Sequence, residues 1–343
     1  MNDELRNDEL RNDATGNTWR GRTVLVTGIG GFVGSGLAEE LLRRGAHVVG
    51  ILRDSPGAQL LQHRGIRDRI DVVRGSIVEP GLAERAINEY SVDTVFHLAA
   101  QAIVTVANAN PLSTFESNIL GTWQVLEGAR RAPSVTRVVV ASSDKAYGNQ
   151  AILPYTEDTT LAGIYPYDAS KVCTDVLARS YATSFGLPVA VTRCANIYGP
   201  GDLNWNRLIP GTIRSVLEGS DPLIRSDGSL QRDYLYLGDA VEGYLTLADH
   251  LPDVSGEAFN FGTELPVSVL EVVQRIVAVS GVEGVHPRVL GVATNEIDRQ
   301  SLASGKAATR LGWKAAVDLD EGLRASIDWY RRLLERERTE VNA

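Results

Sequence analysis

Short apolar runs alternate with amphipathic stretches along the first half of the chain. The run Thr23–Thr27 (TVLVT) is rich in β-branched residues and is bounded by glycines, which predicts a buried strand. In the stretch Ser35–Arg44 the leucines share one face and the pattern stops at Gly45, which predicts a helix. The run His47–Leu52 then predicts a second buried strand.

Further apolar runs predict four more strands, at Asp71–Val73, Thr94–Phe96, Arg137–Val140 and Pro188–Thr192. Helical patterns lie between several of these runs, at Leu82–Tyr90, Ser117–Arg131 and Ser170–Phe185. Strands that alternate with helices along a chain form a parallel sheet covered by helices on both faces. The pattern therefore predicts an α/β fold with a doubly wound parallel sheet in residues 21–198.

The alternation loosens after residue 198, where proline and glycine become frequent. Helical stretches are predicted there at Pro210–Glu218, Gly238–Asp249, Val269–Val279 and Glu321–Leu334. We expect residues 199–343 to form mainly a smaller C-terminal α/β substrate domain, with part of it returning to the sheet. Residues 1–20 contain NDELR twice and are expected to be a mobile tail, either natural or a cloning scar.

The composition is that of an ordinary globular protein. The chain has 343 residues, 43% of them apolar and 22% charged, and its length suits about two domains. The formal net charge is −9 without a basic tract, which argues against nucleic acid and anionic membranes as partners. No apolar run reaches the roughly 18 residues of a membrane helix, and the polar N-terminus lacks a signal-peptide core. Two cysteines are too few for a disulfide framework or a cysteine-rich zinc site, so we expect no metal and a cytoplasmic setting.

A glycine-rich loop follows the first predicted strand and opens the first predicted helix. It contains Gly28, Gly31 and Gly34, with Phe32 and Val33 between the last two. Glycines allow a tight turn and a close approach of pyrophosphate, and the helix N-terminus supplies N–H groups and a favourable dipole. The spacing T-G-x-x-G-x-x-G resembles the loop of the extended short-chain dehydrogenase/reductase family, which implies a Rossmann sheet and a nicotinamide cofactor.

Two further segments are candidates for contact with the cofactor. An acidic residue at the end of the second strand suits the ribose of NAD, whereas an arginine suits the 2′-phosphate of NADP. The chain has Arg53 followed by Asp54, so NAD is expected and NADP stays open. The segment His97–Gln101 resembles the family's H-x-A-A stretch beside the nicotinamide ribose, which places Ala99 at the cofactor. We expect His97 itself to be a core residue.

Tyr167 and Lys171 form a Y-x-x-x-K pair in a predicted helix, so their side chains share one helix face. A nearby ammonium group stabilises phenolate and lowers the pKa of a tyrosine from its usual value of about 10. We therefore expect Tyr167 to act as a base toward a sugar hydroxyl, with both residues also at the cofactor. Ser143 follows the strand Arg137–Val140 and is expected to hydrogen-bond the same substrate oxygen.

Two later segments resemble substrate-binding motifs of this family. Arg193–Gly201 resembles R-x-x-N-x-Y-G-P-G, whose asparagine contacts the nucleotide sugar, and this implies the same role for Asn196. The segment that begins at Arg232 resembles R-D-Y-x-Y-V-x-D, whose arginine meets the diphosphate. Guanidinium suits phosphate through its planar fork of donors, so Arg207 and Arg299 are further candidates for the same group.

The triplet Ser143-Asp144-Lys145 resembles that of nucleotide-sugar 4,6-dehydratases. These enzymes oxidise C4 and then remove the C5 proton while an acid protonates the departing C6 hydroxyl. The dTDP-glucose enzymes have S/T-D-E at this place, whereas Lys145 replaces the glutamate here, as in the CDP-glucose branch. The identity of the C5 base stays open, because a lysine must be neutral to act as a base. A structural ion pair of Asp144 with Lys145 is the alternative.

The resemblance implies a lyase, an NDP-hexose 4,6-dehydratase that acts on CDP-glucose and regenerates its cofactor in each turnover. A 4-epimerase or decarboxylase on the same scaffold is the alternative, and a non-catalytic dinucleotide sensor is a third hypothesis. Nothing in the sequence identifies the nucleotide base or the hexose. In relatives two long helices pair across a two-fold axis, so we expect a homodimer. The apolar side chains expected on those helices are Ile119, Trp123, Leu126, Val172, Val176 and Leu177.

Overall fold

A seven-stranded parallel sheet forms the centre of this computed structural model, which describes residues 18–53, 55–292 and 297–341. The first six strands are β1 (Thr23–Thr27), β2 (His47–Leu52), β3 (Asp71–Arg74), β4 (Thr94–His97), β5 (Arg137–Ala141) and β6 (Val189–Cys194). The later, mostly shorter strands are β7 (Asn196–Tyr198), β8 (Leu223–Ile224), β9 (Gln231–Arg232), β10 (Tyr234–Tyr236), β11 (Ala258–Phe261), β12 (Val267–Ser268) and β13 (Arg288–Val289). The order across the sheet is β11-β6-β5-β4-β1-β2-β3, which confirms the predicted doubly wound α/β architecture.

Helices cover both faces of this sheet. The α-helices of the described residues are α1 (Phe32–Arg43), α2 (Ser55–His63), α3 (Leu82–Glu89), α4 (Val104–Ala109), α5 (Pro111–Phe115), α6 (Gly121–Arg131), α7 (Pro166–Phe185), α8 (Leu208–Leu217), α9 (Leu237–Asp249), α10 (Leu251–Val254), α11 (Val269–Ser280), α12 (Gly305–Leu311) and α13 (Leu319–Val341). Helices α1 and α9 pack on one face, and α3, α6 and α7 pack on the other. Within the described ranges, none of the helices is long and apolar enough to cross a membrane.

The chain after residue 198 contributes to two different cores. Strand β11 is part of the central sheet, where its Phe261 pairs with Cys194 of β6. Helix α9 packs in the apolar core on one face of that sheet. Helices α8, α11 and α13 instead build a separate apolar cluster of their own, which contains Ile213, Ile276 and Ile327. The small pairs β7–β10, β9–β12 and β8–β13 form no part of the main sheet.

Two helices begin earlier than the apolar pattern predicts. Helix α1 begins at Phe32 rather than Ser35, and α7 begins at Pro166 rather than Ser170. Proline is favoured in the first turn because it has no N–H to leave unsatisfied and its φ already suits a helix. The early start places Tyr167 inside the first turn of α7, on a rigid element. The predicted helix Ser117–Arg131 instead contains a π-helical turn, Glu116–Leu120, before α6.

The first described residues correct the boundary expected for the N-terminal tail. Residues 1–17 lie outside the described residues, but Trp19 is 1% exposed and its ring lies 5.8 Å from that of Phe96 in β4. Thr18 Oγ1 also donates a hydrogen bond to Asp249 at the end of α9, 2.9 Å away. Residues 18–20, which were expected in the tail, therefore belong to the folded domain.

Replacing Trp19 by alanine is expected to lower the free energy of unfolding by about 3–5 kcal/mol, because it leaves a cavity beside the central sheet. Urea unfolding followed by circular dichroism measures this loss. The matched control is Arg20→Ala, whose side chain is exposed and whose removal should change stability by less than about 0.5 kcal/mol. Equal stabilities for the two variants would contradict a core role for Trp19.

Candidate active site

The glycine-rich loop after β1 is shaped by close backbone contacts. Gly28 has φ +72°, and a Cβ there would lie 2.8 Å from the backbone nitrogen of Ala99. A Cβ at Gly34 would overlap the carbonyl oxygen of Gly28. Gly31 donates from its N–H to that same oxygen at 2.9 Å. The turn therefore excludes side chains at these positions, and it brings the end of β1 directly against the end of β4.

The N-terminus of α1 fits a bound pyrophosphate. Gly31 is the residue before the helix and has no side chain to cap it, and the first turn carries no acidic residue. The first N–H groups and the helix dipole are therefore directed at the loop, as anion binding requires. Phe32 and Val33 are partly buried in this turn. The residues present thus fit a dinucleotide.

The neighbouring positions that were expected at the cofactor lie around the same strand ends. Ala99 donates from its N–H to Thr27 Oγ1 at 3.2 Å, which fixes the start of the loop after β4. Arg53 is exposed just beyond β2, whereas Asp54 lies outside the described residues. His97 is a core residue as expected, since its ring nitrogens contact Thr27 and Thr122 at 2.8 and 3.0 Å. Burial lowers the pKa of His97 to about 3, so it is neutral.

The triplet after β5 forms one tight turn. Ser143 Oγ accepts a hydrogen bond from the N–H of Lys145 at 3.2 Å and donates to Asp144 Oδ1 at 3.0 Å. The Asp144 side chain is almost fully buried. The Lys145 ammonium donates to Oε1 of Gln300, a residue that the sequence patterns do not single out. A hydroxyl, a carboxyl and an amine therefore stand on consecutive residues at the carboxyl end of a central strand.

The pKa of Tyr167 is raised, whereas its spacing from Lys171 predicted a lowered pKa. Burial raises the pKa of Tyr167 to about 12, against the opposing effects of Ser143 and Arg207. Lys171 donates from Nζ to the carbonyl oxygen of Ala141 at 2.7 Å, and burial lowers its own pKa to about 8. The expectation that Lys171 lowers the tyrosine pKa is therefore wrong for this arrangement, because burial of the phenol dominates. The favourable neighbours of a phenolate are instead Ser143 and Arg207.

A second carboxyl group, Asp168, lies beside the triplet and was not predicted as a site residue. It follows Tyr167 in the first turn of α7 and is 4% exposed. Burial raises its pKa to about 6; the positive charge of Lys145 opposes this shift and the negative charge of Asp144 adds to it. These interactions place Asp168 near the triplet. Asp168 directly follows Tyr167 in the sequence and could have been considered for that reason. Only the fold shows that its side chain is buried.

Asn118 is another positioning residue that sequence reasoning missed. It lies in the π-helical turn and is 1% exposed. Its Oδ1 accepts from the N–H of Gln101 at 2.7 Å, and its Nδ2 donates to Ser170 Oγ at 2.8 Å. The asparagine therefore ties the loop after β4 to the first turns of α7, which holds Tyr167 and Lys171 relative to the cofactor loop.

The residues predicted to bind the sugar nucleotide fall into two groups. Arg232 and Arg299 lie together, since Nη1 of Arg232 donates to the carbonyl oxygen of Gln231 and Nε of Arg299 donates to the Gln231 side chain, both at 2.9 Å. Arg207 pairs instead with Asp202 at 3.1 Å, and its charge reaches Tyr167. The amide nitrogen of Asn196 donates to a backbone oxygen of the Arg232 segment, that of Asp233, at 3.3 Å. Of these residues, Arg207 is thus the one whose charge acts on Tyr167, whereas Asn196 lies beside the Arg232 segment.

Comparison with known proteins places this chain among enzymes of nucleotide sugars. A family model described as GDP-mannose 4,6 dehydratase matches residues 25–326. A CDP-glucose 4,6-dehydratase of Salmonella typhimurium is 30% identical, with 92% of each chain covered. A dTDP-glucose 4,6-dehydratase variant of Streptomyces venezuelae, solved with NAD, is 29% identical with a TM-score of 0.81 over 90% of this chain and 96% of that one. A UDP-glucose 4-epimerase of Thermotoga maritima is 28% identical with a TM-score of 0.84 over 91% of this chain and 99% of that one.

Proposed function

The chain belongs to the GDP-mannose 4,6-dehydratase family, and from that premise we propose that it converts CDP-glucose to CDP-4-dehydro-6-deoxyglucose. The observation that carries this proposal is the turn Ser143-Asp144-Lys145 beside Tyr167. Oxidation at C4 alone needs a hydroxyl and a base, whereas elimination across C5 and C6 also needs an acid and a second base. Asp144 and Lys145 supply two ionisable groups at the place where that second step requires them.

When bound, NAD would supply the redox chemistry, as acceptor of the C4 hydride and donor of a hydride to C6. The chain holds the dinucleotide by the loop glycines Gly28, Gly31 and Gly34, with Phe32, Val33 and Ala99 around them. Tyr167 accepts the proton from the C4 hydroxyl, and Ser143 donates a hydrogen bond to the same oxygen. Lys171 completes this group one helical turn along α7. The raised pKa of Tyr167 means that neighbouring positive charge, such as that of Arg207, is needed to form the phenolate.

The elimination then uses the triplet. The neutral amine of Lys145 takes the C5 proton, and the electron pair of the broken C–H bond forms the C5–C6 double bond. The C6–O bond breaks in the same step, and the oxygen leaves as water with a proton from Asp144. Asp168, whose pKa burial raises to about 6 and whose charge is influenced by Asp144 and Lys145, is the group that would replenish that proton. The protonated Lys145 then holds the proton that C5 needs, and the product would be completed once the bound cofactor supplied a hydride to C6.

The two parts of the chain bind different ligands. Residues 21–198 hold the dinucleotide, and residues 199–343 mainly hold the nucleotide sugar. Arg232 and Arg299 bind the diphosphate, Arg207 lies on the side nearer Tyr167, and Asn196 contacts the sugar nucleotide from beside the Arg232 segment. The acidic chain with its two free cysteines suits the cytoplasm, where such sugar nucleotides are made.

The experiment that tests this function is incubation with CDP-, dTDP-, UDP- and GDP-glucose in separate reactions run in deuterium oxide. A 4-keto-6-deoxy product from CDP-glucose, with deuterium at C5, is the expected result, because only a dehydratase breaks the C5–H bond. A product without deuterium at C5 would contradict the elimination. Turnover of another nucleotide sugar alone would contradict the choice of CDP-glucose.

The second candidate function is a 4-epimerase, which the likeness to the Thermotoga maritima epimerase supports. An epimerase needs Tyr167 and Ser143 but gives Asp144 and Lys145 no chemical task. It would yield a sugar inverted at C4 with both the C5 hydrogen and the C6 hydroxyl retained. The same incubation therefore separates the two candidates by mass and by deuterium content.

We also propose a homodimer formed by α6 and α7. Trp123 and Val176 are 44% and 54% exposed, and together with the exposed Phe115 they leave an apolar face uncovered. The prediction that Leu126 lies on this face is wrong, because its side chain is fully buried against the sheet. A pair of equal apolar faces suits an isologous two-fold contact.

Light scattering at micromolar concentration is expected to give twice the 37.1 kDa of one chain. Val176→Glu should shift the mass to that of a monomer, because it places a charge in the apolar contact. Leu265→Glu is the matched control, since Leu265 is 73% exposed and lies outside this face. A monomeric wild-type protein would contradict the dimer.

A further inference from the structure

A glutamine from the C-terminal part of the chain lies against the lysine of the triplet. The ammonium of Lys145 donates a hydrogen bond to Oε1 of Gln300, although 155 positions separate the two residues. Gln300 is 1% exposed, so its carboxamide is enclosed by protein. The contact therefore connects the sheet domain to the later chain at the amine itself.

The backbone around Gln300 is held on both sides. Its own N–H donates to the carbonyl oxygen of Gln231 at 3.0 Å, and the next residue, Ser301, accepts from the N–H of Tyr155 at 2.8 Å. The preceding residue, Arg299, bonds the Gln231 side chain. The segment around Gln300 is thus anchored to strand β9, which carries Arg232, and to the loop that follows the triplet. This anchoring holds the carboxamide beside Lys145.

The other end of this carboxamide has no partner. Nε2 of Gln300 is buried and makes no hydrogen bond to any of residues 18–53, 55–292 and 297–341. Buried polar groups are nearly always paired, so an orphaned donor needs an explanation. Because Nε2 and Oε1 share one carbon atom, this donor also lies next to the Lys145 amine. The carboxamide is therefore kept at this place although its donor is unpaired, which points to a role for its acceptor, Oε1, at Lys145.

We propose that Gln300 is a positioning residue for Lys145, which it holds through the hydrogen bond from Nζ to Oε1, an inference that rests on the proposed dehydratase function. A carboxamide is suited to this place because it is neutral. It accepts a hydrogen bond from the amine without placing a negative charge beside Lys145. A carboxylate in the same position would favour the ammonium form, which cannot take a proton.

Gln300→Leu is expected to lower kcat about 10²-fold, because a reacting group displaced by about 1 Å loses that much rate. Reduced cofactor should accumulate during turnover, since C4 oxidation depends on Tyr167 and not on Lys145. Gln300→Glu keeps the acceptor and the volume, yet it should accumulate reduced cofactor too, because its charge holds Lys145 as ammonium.

The matched control is Gln274→Leu, a substitution of an exposed glutamine on α11, which should leave kcat and KM unchanged. A merely structural role for Gln300 predicts a lower melting temperature without accumulation of reduced cofactor, and that result would overturn the proposal, as would a wild-type kcat in Gln300→Leu. If Gln300→Leu does not fold, Gln300→Glu decides by the same absorbance. A wild-type protein that forms no 4-keto-6-deoxy sugar would refute the dehydratase function itself, which these variants do not test.

Discussion

Tyr167→Phe is expected to reduce turnover about 10²- to 10⁴-fold, with no reduced cofactor formed at any time. The phenol oxygen is the group placed to take the C4 hydroxyl proton, and every later step depends on the ketone formed at C4. Phenylalanine keeps the ring and its packing in the first turn of α7, so the melting temperature should change little. Rapid mixing with CDP-glucose, followed at the absorbance of the dihydronicotinamide ring, measures the oxidation step directly.

Tyr165→Phe is the matched control for this prediction. Tyr165 precedes α7 by one residue and is 41% exposed, so loss of its hydroxyl should leave turnover unchanged. Reduced cofactor that forms at the wild-type rate in Tyr167→Phe would show that another group, with Ser143 as the nearest, takes the C4 proton. That outcome would remove Tyr167 from the mechanism.

The sheet could be predicted because its strands are buried on both faces. Such strands are continuous apolar runs, as in β1 and β2, and a run of this kind needs no knowledge of its neighbours. Strand β11 was not predicted as a strand, since Ala258–Phe261 has only four residues and its partner, β6, lies more than sixty positions earlier in the chain. Its place in the sheet is decided by that distant pairing and not by a local pattern.

The candidate site could be predicted only as far as its motifs are local. Tyr167 with Lys171 and the triplet at Ser143 are short patterns on single elements. Asn118 and Gln300 act through contacts with distant segments, and no spacing reveals such contacts. The pKa of Tyr167 could not be predicted from a local pattern either. Spacing correctly places Lys171 one turn away, but the degree of burial, which determines the shift, follows from the complete fold.

Lys145→Ala and Asp144→Asn are expected to slow product formation about 10²- to 10⁴-fold while C4 oxidation continues. Both groups act after the hydride has left C4, so their loss should trap the enzyme with reduced cofactor and a 4-ketohexose. The absorbance of the dihydronicotinamide ring should therefore rise and persist, in contrast to Tyr167→Phe, where it never appears. Deuterium exchange at C5 should be lost in Lys145→Ala, because the base is gone, and retained to some extent in Asp144→Asn.

Two further measurements separate this chemistry from a structural ion pair of Asp144 and Lys145. A pair that serves only stability predicts lower melting temperatures in both variants and no trapped reduced cofactor. Lys314→Ala, which removes an exposed lysine, is the control for the loss of one positive charge and should behave as wild type. If both triplet variants turn over at the wild-type rate, the elimination must use other groups, and Asp168 would be the next carboxyl to test, since burial beside the triplet has already raised its pKa to about 6.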